Sequence, residues 1–210
     1  MSEAKLREDI CRLGASIYER GLTHGSTGNV SAKSDDGWLL TPTGSNLGRL
    51  DPARLSKLDW KGKLLSGDAP SKEAFLHLAM YEERAKNAAV VHLHSTHSVA
   101  VSVLEDVNPA DVMPPLTAYY VMRIGSLPLV PYYAPGDMAL AQAVRGFAGE
   151  HHAVLLANHG PVVAGSSLSA AADAVEELEA TAKLFLLLRH EKVRCLTTEQ
   201  VAALRAKHPV

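Results

Sequence analysis

Two histidines one residue apart, His92-Leu93-His94, close an apolar run that begins at Ala88. On an extended strand, side chains i and i+2 point to the same face, about 7 Å apart along the chain. Two imidazoles so placed can close on one zinc ion at about 2.0–2.1 Å each. A second apolar run, from Ala153 to Ala157, ends in Asn158-His159-Gly160. Core packing explains a histidine just before Gly-Pro poorly, and an adjacent strand can supply it as a third ligand. Glu73 follows Pro70-Ser71-Lys72 in what reads as the first turn of a helix, where the helix dipole favours a carboxylate anyway. Three histidines and one glutamate suit zinc with a carboxylate that can leave the metal and act as a base. Each element alone also has a plain reading: a half-buried strand edge, a turn histidine bonded to backbone, a helix-start carboxylate.

The chain holds ten histidines. His24 sits in a Gly/Ser/Thr loop and can border a site. His97 falls on the helix after His94 and is expected to pack or hydrogen-bond. His151 and His152 open a strand and are expected to face solvent, while His77, His190 and His208 read as surface or helix-face residues.

Two loops can cradle a phosphate, Ser26-Thr27-Gly28-Asn29 and Thr41-Pro42-Thr43-Gly44-Ser45, because small residues let backbone N–H groups approach an anion. Ser71 and Lys72 at a helix start add a third anion-attracting feature. Ordinary turns account for each loop taken alone. Neither loop carries the Gly-Lys-Ser/Thr phosphate signature or the Gly-x-Gly-x-x-Gly dinucleotide signature.

Positioning these residues requires an α/β framework. Leu6, Ile10, Leu13 and Ile17 recur at helical spacing after Ser2, a ready N-cap, and before Gly21. Val30–Lys33 and Trp38–Thr41 flank Ser34-Asp35-Asp36-Gly37 as a hairpin, and a second hairpin turns at Lys61-Gly62. A helix is expected over 71–85, a strand over 88–94, and a helix from there to about Leu104. Further strands are expected over 127–132, 153–158 and 161–164, with a helix from near Asp137 between the first two. A long helix over 168–191 precedes a short one opened by the capping box Thr197-Thr198-Glu199-Gln200. With no repeat or linker, residues 1–210 read as one α/β domain with a largely antiparallel sheet between helices.

The 210 residues carry 21 Lys and Arg against 23 Asp and Glu, for a net charge of -2, which does not suit an electrostatic duplex-DNA binder. The 47% hydrophobic content excludes a largely disordered chain. The two cysteines, Cys11 and Cys195, form no Cys-x-x-Cys pair and fit a reducing compartment. The charged opening Ser2–Arg12 lacks the apolar run of a signal peptide. The run Leu184–Leu188 is far below the ~20 residues that span a bilayer. The expectation is a cytoplasmic protein with neither nucleic-acid nor membrane partner.

Taken in order, Gly28-Asn29-Val30-Ser31, Thr41-Pro42-Thr43-Gly44, Pro70-Ser71-Lys72-Glu73, His92-Leu93-His94 and Asn158-His159-Gly160 resemble the class II aldolase/adducin family. The resemblance implies a central, mainly antiparallel sheet flanked by helices. It also implies one zinc per subunit on Glu73, His92, His94 and His159, and a C4 homotetramer with sites at subunit boundaries. The sugar-phosphate pocket falls on Gly28, Asn29, Thr43, Gly44 and Ser71. Lys72 departs from the second serine of the fuculose-phosphate aldolases. No tyrosine follows Tyr133, which counts against the family's epimerases, and adducin-like scaffolds lack the ligand set that stands here.

The stretch Thr117–Gly125 with Pro131–Asp137 is most similar to the branch that decarboxylates 3-oxo-tetronate 4-phosphate to dihydroxyacetone phosphate and CO2. Tyr119 is the implied proton donor, with Tyr120 second, and Glu73 the implied base. The alternative within the family is aldol cleavage of a ketose 1-phosphate such as fuculose 1-phosphate.

Overall fold

The first hairpin pairs β1 (Asn29–Ser34) with β2 (Gly37–Leu40) around Asp35-Asp36. A computed structural model describes residues 2–134 and 136–208. Within them the second hairpin, β3 (Ser56–Leu58) and β4 (Leu64–Ser66), extends the sheet outward from β2. On the other side of β1 lie β5 (Ala89–His92), β8 (Gly160–Gly165), β7 (Ala153–Leu156) and β6 (Leu129–Val130), in that order. Only the β6–β7 pairing is parallel among the described strands, so the expected largely antiparallel sheet is the observed one.

Period-two alternation divides the core between the two faces of this sheet. Val91, Leu155 and Val163 pack with Ile10 and Ile17 of α1 (Glu3–Glu19) and Leu178 of α6 (Leu168–Leu187). Their neighbours Val90, Val154 and Val162 point the other way, onto Met80 of α2 (Ala74–Glu83) and Val144 of α5 (Ala139–Ala148). Each such fully buried side chain contributes roughly 1.5–3 kcal/mol relative to exposure. By the same alternation His92 shares the face of Val90, towards α2, and that is the side from which Glu73 arrives.

Several boundaries differ from the sequence reading, each for a local reason. The helix expected over 71–85 starts only at Ala74, because Pro70 bridges to Pro42 and Ser71–Glu73 form a turn ahead of it. Glu73 is therefore the N-cap residue rather than a first-turn carboxylate, and its side chain makes no capping bond. The strand expected over 127–132 shrinks to Leu129–Val130 between Pro128 and Pro131, which cannot donate to a ladder. The short helices α3 (Thr96–Ser102) and α4 (Ala118–Arg123) follow the histidine strand and the Pro114-Pro115 turn respectively. Sequence periodicity did not register α4. The last helix, α7 (Thr198–Lys207), carries its capping box as expected. Among the described residues no helix is long and apolar enough to cross a membrane.

Candidate active site

Three central strands end at one place. His92 is the last residue of β5, and its register partners are Asn29 on β1 and Val162 on β8. His94 lies two residues further on, before α3, and His159 occupies the turn between β7 and β8. That turn is tight. Asn158 adopts φ 56°, a left-handed setting that asparagine tolerates better than most residues. A Cβ on Gly160 would lie 2.2 Å from the Leu93 carbonyl oxygen, so only glycine lets β8 approach β5 here.

The donor atoms converge. The Nε2 atoms of His92 and His94 are 3.2 Å apart, and those of His94 and His159 are 3.0 Å apart. Glu73 places Oε1 3.1 Å from His159 Nε2 and Oε2 3.4 Å from His92 Nε2. All four donors lie within 4.8 Å of one another. Ligand atoms around a tetrahedral ion with bonds of about 2.1 Å stand roughly 3.4 Å apart, so this set fits a metal ion.

The protonation pattern favours the same reading. His92 Nδ1 is 2.8 Å from the Pro161 carbonyl oxygen. A carbonyl only accepts, so Nδ1 carries the proton and Nε2 turns its lone pair towards the cluster. Burial pushes His92 down, and burial with the neighbouring His92 and His159 pushes His94 down to about 3. Neutral imidazole is the form that binds metal. Burial alone would raise Glu73, but His92, His159 and the Asn29 amide outweigh it and hold the carboxyl well below the usual range.

Asn29 and Ser71 adjoin Glu73. Asn29 Nδ2 donates to Glu73 Oε2 at 2.8 Å and lies 3.2 Å from Ser71 Oγ, which also accepts the Glu73 N–H at 3.2 Å. Gly28 takes φ 79° just before β1, where a Cβ would come within 3.0 Å of the His92 carbonyl oxygen. Thr43 and Gly44 are tied to the same region by the Thr43 N–H, which donates to Ala69 O at 3.0 Å. They line a separate cavity of about 230 Å³ with Arg49 and Arg54, not the one at the histidine–glutamate cluster.

The cavity over the cluster, about 660 Å³, is lined by His24, Glu73, His94, His159, Tyr132 and Tyr133 among others. His24 thus borders the site as its loop suggested. Tyr132 and Tyr133 carry phenols that sequence reasoning quoted but gave no role. Tyr119 is not among the lining residues: it stands 60% exposed on α4. Tyr120 is buried and donates to Asp111 Oδ1 at 3.2 Å, so its hydroxyl proton is already engaged. A larger groove of about 840 Å³ along α1 and the start of α6 contains none of the four cluster residues.

Two histidine expectations are corrected. His77 is completely buried, stacked on Trp38, rather than on a helix surface, and burial pushes it down to about 3. His152 is half-buried with Nδ1 donating to the Ala164 carbonyl oxygen at 2.9 Å, because the antiparallel partner of its strand runs alongside. His97 does hydrogen-bond as expected, its Nδ1 lying 2.8 Å from Glu179 Oε1.

The profile described as Class II Aldolase and Adducin N-terminal domain matches residues 8–186. The chain belongs to the class II aldolase and adducin family. The 3-oxo-tetronate 4-phosphate decarboxylase of Cupriavidus necator is 53% identical over 188 residues, covering 90% of this chain and 87% of that protein. The crystal structure of YgbL from Escherichia coli superposes with a TM-score of 0.95 at 50% identity, covering 97% of this chain and 99% of that one. The L-fuculose phosphate aldolase of Escherichia coli K12 is 33% identical over 211 residues, covering 99% and 95%.

Proposed function

We propose that this chain is a zinc-dependent carboxy-lyase that converts 3-oxo-tetronate 4-phosphate to dihydroxyacetone phosphate and CO2. The observation that carries the reading is its 53% identity to a decarboxylase of that name. The intact cluster of Glu73, His92, His94 and His159 supports it.

Those four side chains would hold a zinc ion, and it would supply Lewis acidity for negative charge on the substrate. The chain's own groups do the rest. As the C1–C2 bond breaks, its electron pair passes into the C2–C3 unit, and C2 must then gain a proton. Glu73, ionised and oriented by Asn29, handles the proton of the neighbouring hydroxyl. The lone pairs of Ser71 Oγ face Asn29 Nδ2 and the Glu73 N–H, which frees its own O–H for a phosphate oxygen. Gly28 keeps the backbone open beside it. Thr43 and Gly44, on the turn held to Ala69, carry that phosphate site outward to the adjoining cavity that they line with Arg49 and Arg54.

Tyr119 is the proton donor to C2 in this reading. Because Tyr119 stands exposed on α4 and does not line its own chain's cavity, this reading has it act in the site of a neighbouring subunit of a homotetramer. Detecting dihydroxyacetone phosphate in a coupled assay on zinc-loaded protein tests the reaction. Product no faster than spontaneous decarboxylation sinks it.

The second reading, aldol cleavage of a ketose 1-phosphate, uses the same site through a different C–C bond. It is favoured by the 33% identity to an L-fuculose phosphate aldolase and weakened by the larger identity to the decarboxylase.

A further inference from the structure

A line of hydrogen bonds runs from the interior of the protein to Glu73. Tyr81 OH lies 2.7 Å from Ser31 Oγ, and Ser31 Oγ lies 2.6 Å from His77 Nδ1. His77 Nε2 makes a short contact with Asn29 Oδ1, and Asn29 Nδ2 reaches Glu73 Oε2 at 2.8 Å. His77 is one helical turn beyond Glu73 on the same face of the chain. Ser31, His77 and Tyr81 are buried among Trp38 and its neighbours.

We propose that His77 is a positioning residue: a neutral imidazole protonated at Nε2 that fixes which end of the Asn29 amide faces Glu73 and Ser71. The inference rests on the site reading above and concerns how that site is held.

Donor counting leaves one arrangement for a neutral ring. The Glu73 carboxylate only accepts, so the amide end beside it must be NH2 and the end beside His77 must be the carbonyl. His77 Nε2 must then carry a proton, and Nδ1 must accept. The proton that Nδ1 accepts comes from Ser31, whose oxygen in turn accepts from Tyr81. Every donor in the line points towards Glu73, and such lines strengthen one another in a low-dielectric interior. The reverse tautomer would set a ring lone pair against the Asn29 carbonyl, or, with the amide turned round, a carbonyl against the carboxylate. A charged ring is opposed by complete burial.

The consequence for the site is a division of labour. An amide is nearly symmetric in shape, so shape does not choose its direction. Glu73 sets it from one end and the His77 proton sets the same direction from the other, so Asn29 presents its second N–H to Ser71 and leaves the serine hydroxyl free to donate to a phosphate.

Two measurements test this on the zinc-loaded protein. Long-range nitrogen–carbon-bound-proton correlation NMR on histidine-labelled protein reads the tautomer directly, with His77→Phe used to assign the signal. A neutral ring protonated at Nε2 supports the proposal; protonation at Nδ1, or a charged ring at neutral pH, overturns it. The second measurement is steady-state kinetics. His77→Phe keeps the stack on Trp38 but loses both bonds, and kcat should fall about 10–100-fold, as for outer-shell partners of metal sites. KM for the phosphorylated substrate should rise with it, and His77→Gln, which retains an N–H, should recover much of the loss. Unchanged kinetics in His77→Phe would overturn the proposal. Because the tautomer is read on wild-type protein without substrate, a folding defect in a variant does not remove the test. A wild-type protein that failed to decarboxylate the sugar acid would sink the function and not the His77 assignment.

Discussion

Asn29 and His92 face each other across the β1–β5 ladder, the first donating to Glu73 and the second placing Nε2 3.4 Å from the same carboxylate. The sheet register thus brings two side chains that contact Glu73 together without help from any loop. Breaking the ligand set should be far costlier than disturbing its surroundings. His92→Ala and His159→Ala should lose stoichiometric zinc and more than the about 10–100-fold in activity typical of outer-shell losses. Metal analysis of the purified variants checks this, and full zinc with full turnover would contradict the ligand assignment.

Zinc should also stabilise the fold, because the four donors come from β5, the residues after it, the β7–β8 turn and the residue before α2. At free zinc 100-fold above the dissociation constant, linkage adds about 2.7 kcal/mol to unfolding. Thermal denaturation before and after chelation should show Tm higher by roughly 5–10 °C in the zinc-loaded protein. An adducin-like scaffold would show no difference.

Tyr119→Phe should keep zinc and substrate binding while kcat falls about 10²–10⁴-fold, the usual worth of a positioned acid. Mixing it with inactive Glu73→Gln should restore activity, since some interfaces then pair an intact tyrosine with an intact glutamate. If mixing restores nothing while Tyr132→Phe or Tyr133→Phe abolishes turnover, the donor is one of the phenols that line the chain's own cavity.

Ser71→Ala should raise KM for the phosphorylated substrate about 10-fold or more, in line with the about 1.5–3 kcal/mol of a hydrogen bond to a charged group. A non-phosphorylated analogue should be handled equally by variant and wild type. Loss of discrimination limited to Thr43 variants would move the phosphate to the neighbouring cavity.

Glu179, on α6, secures the start of α3 just beyond His94. Its Oε1 accepts the His97 N–H at 2.9 Å, and its Oε2 accepts the Ser98 N–H at 2.9 Å and the Ser98 hydroxyl at 2.7 Å. Burial pushes this carboxyl up, but the bonds from His97 and Ser98 outweigh burial and hold it below its ordinary value. A carboxyl depressed in the folded state stabilises the protein above its unfolded pKa of about 4.3, and that stability is lost as pH falls through the lower folded value. Urea titrations should show Glu179→Ala destabilised by about 1–3 kcal/mol near neutrality, with the gap closing in acid. A pH-independent gap would contradict the ionised cap.

Much of this was legible because the informative residues sit at strand ends. The apolar runs before His92 and His159 announce buried strands, and a polar residue ending such a run stands out. The alternation that splits Val90 from Val91 also assigns His92 to the face of α2. His77 was not legible as a site residue, because α2 is apolar on several sides and a lone histidine on it reads as surface. The available signal was its spacing of one helical turn from Glu73. Tyr132 and Tyr133 were hidden for another reason: they follow a two-residue strand between prolines, whose path no periodicity fixes. The distance of Tyr119 from its own chain's cavity depends on how α4 packs against α6 and α7, a tertiary relation that local sequence does not encode.

Carbon NMR on zinc-loaded protein given 3-oxo-tetronate 4-phosphate labelled at C1 tests the central claim most directly. The account predicts labelled CO2 released above the spontaneous rate, with one unlabelled dihydroxyacetone phosphate formed for each. Label retained in the sugar acid, from protein shown to hold zinc, would contradict it and turn attention to the aldol cleavage of ketose 1-phosphates.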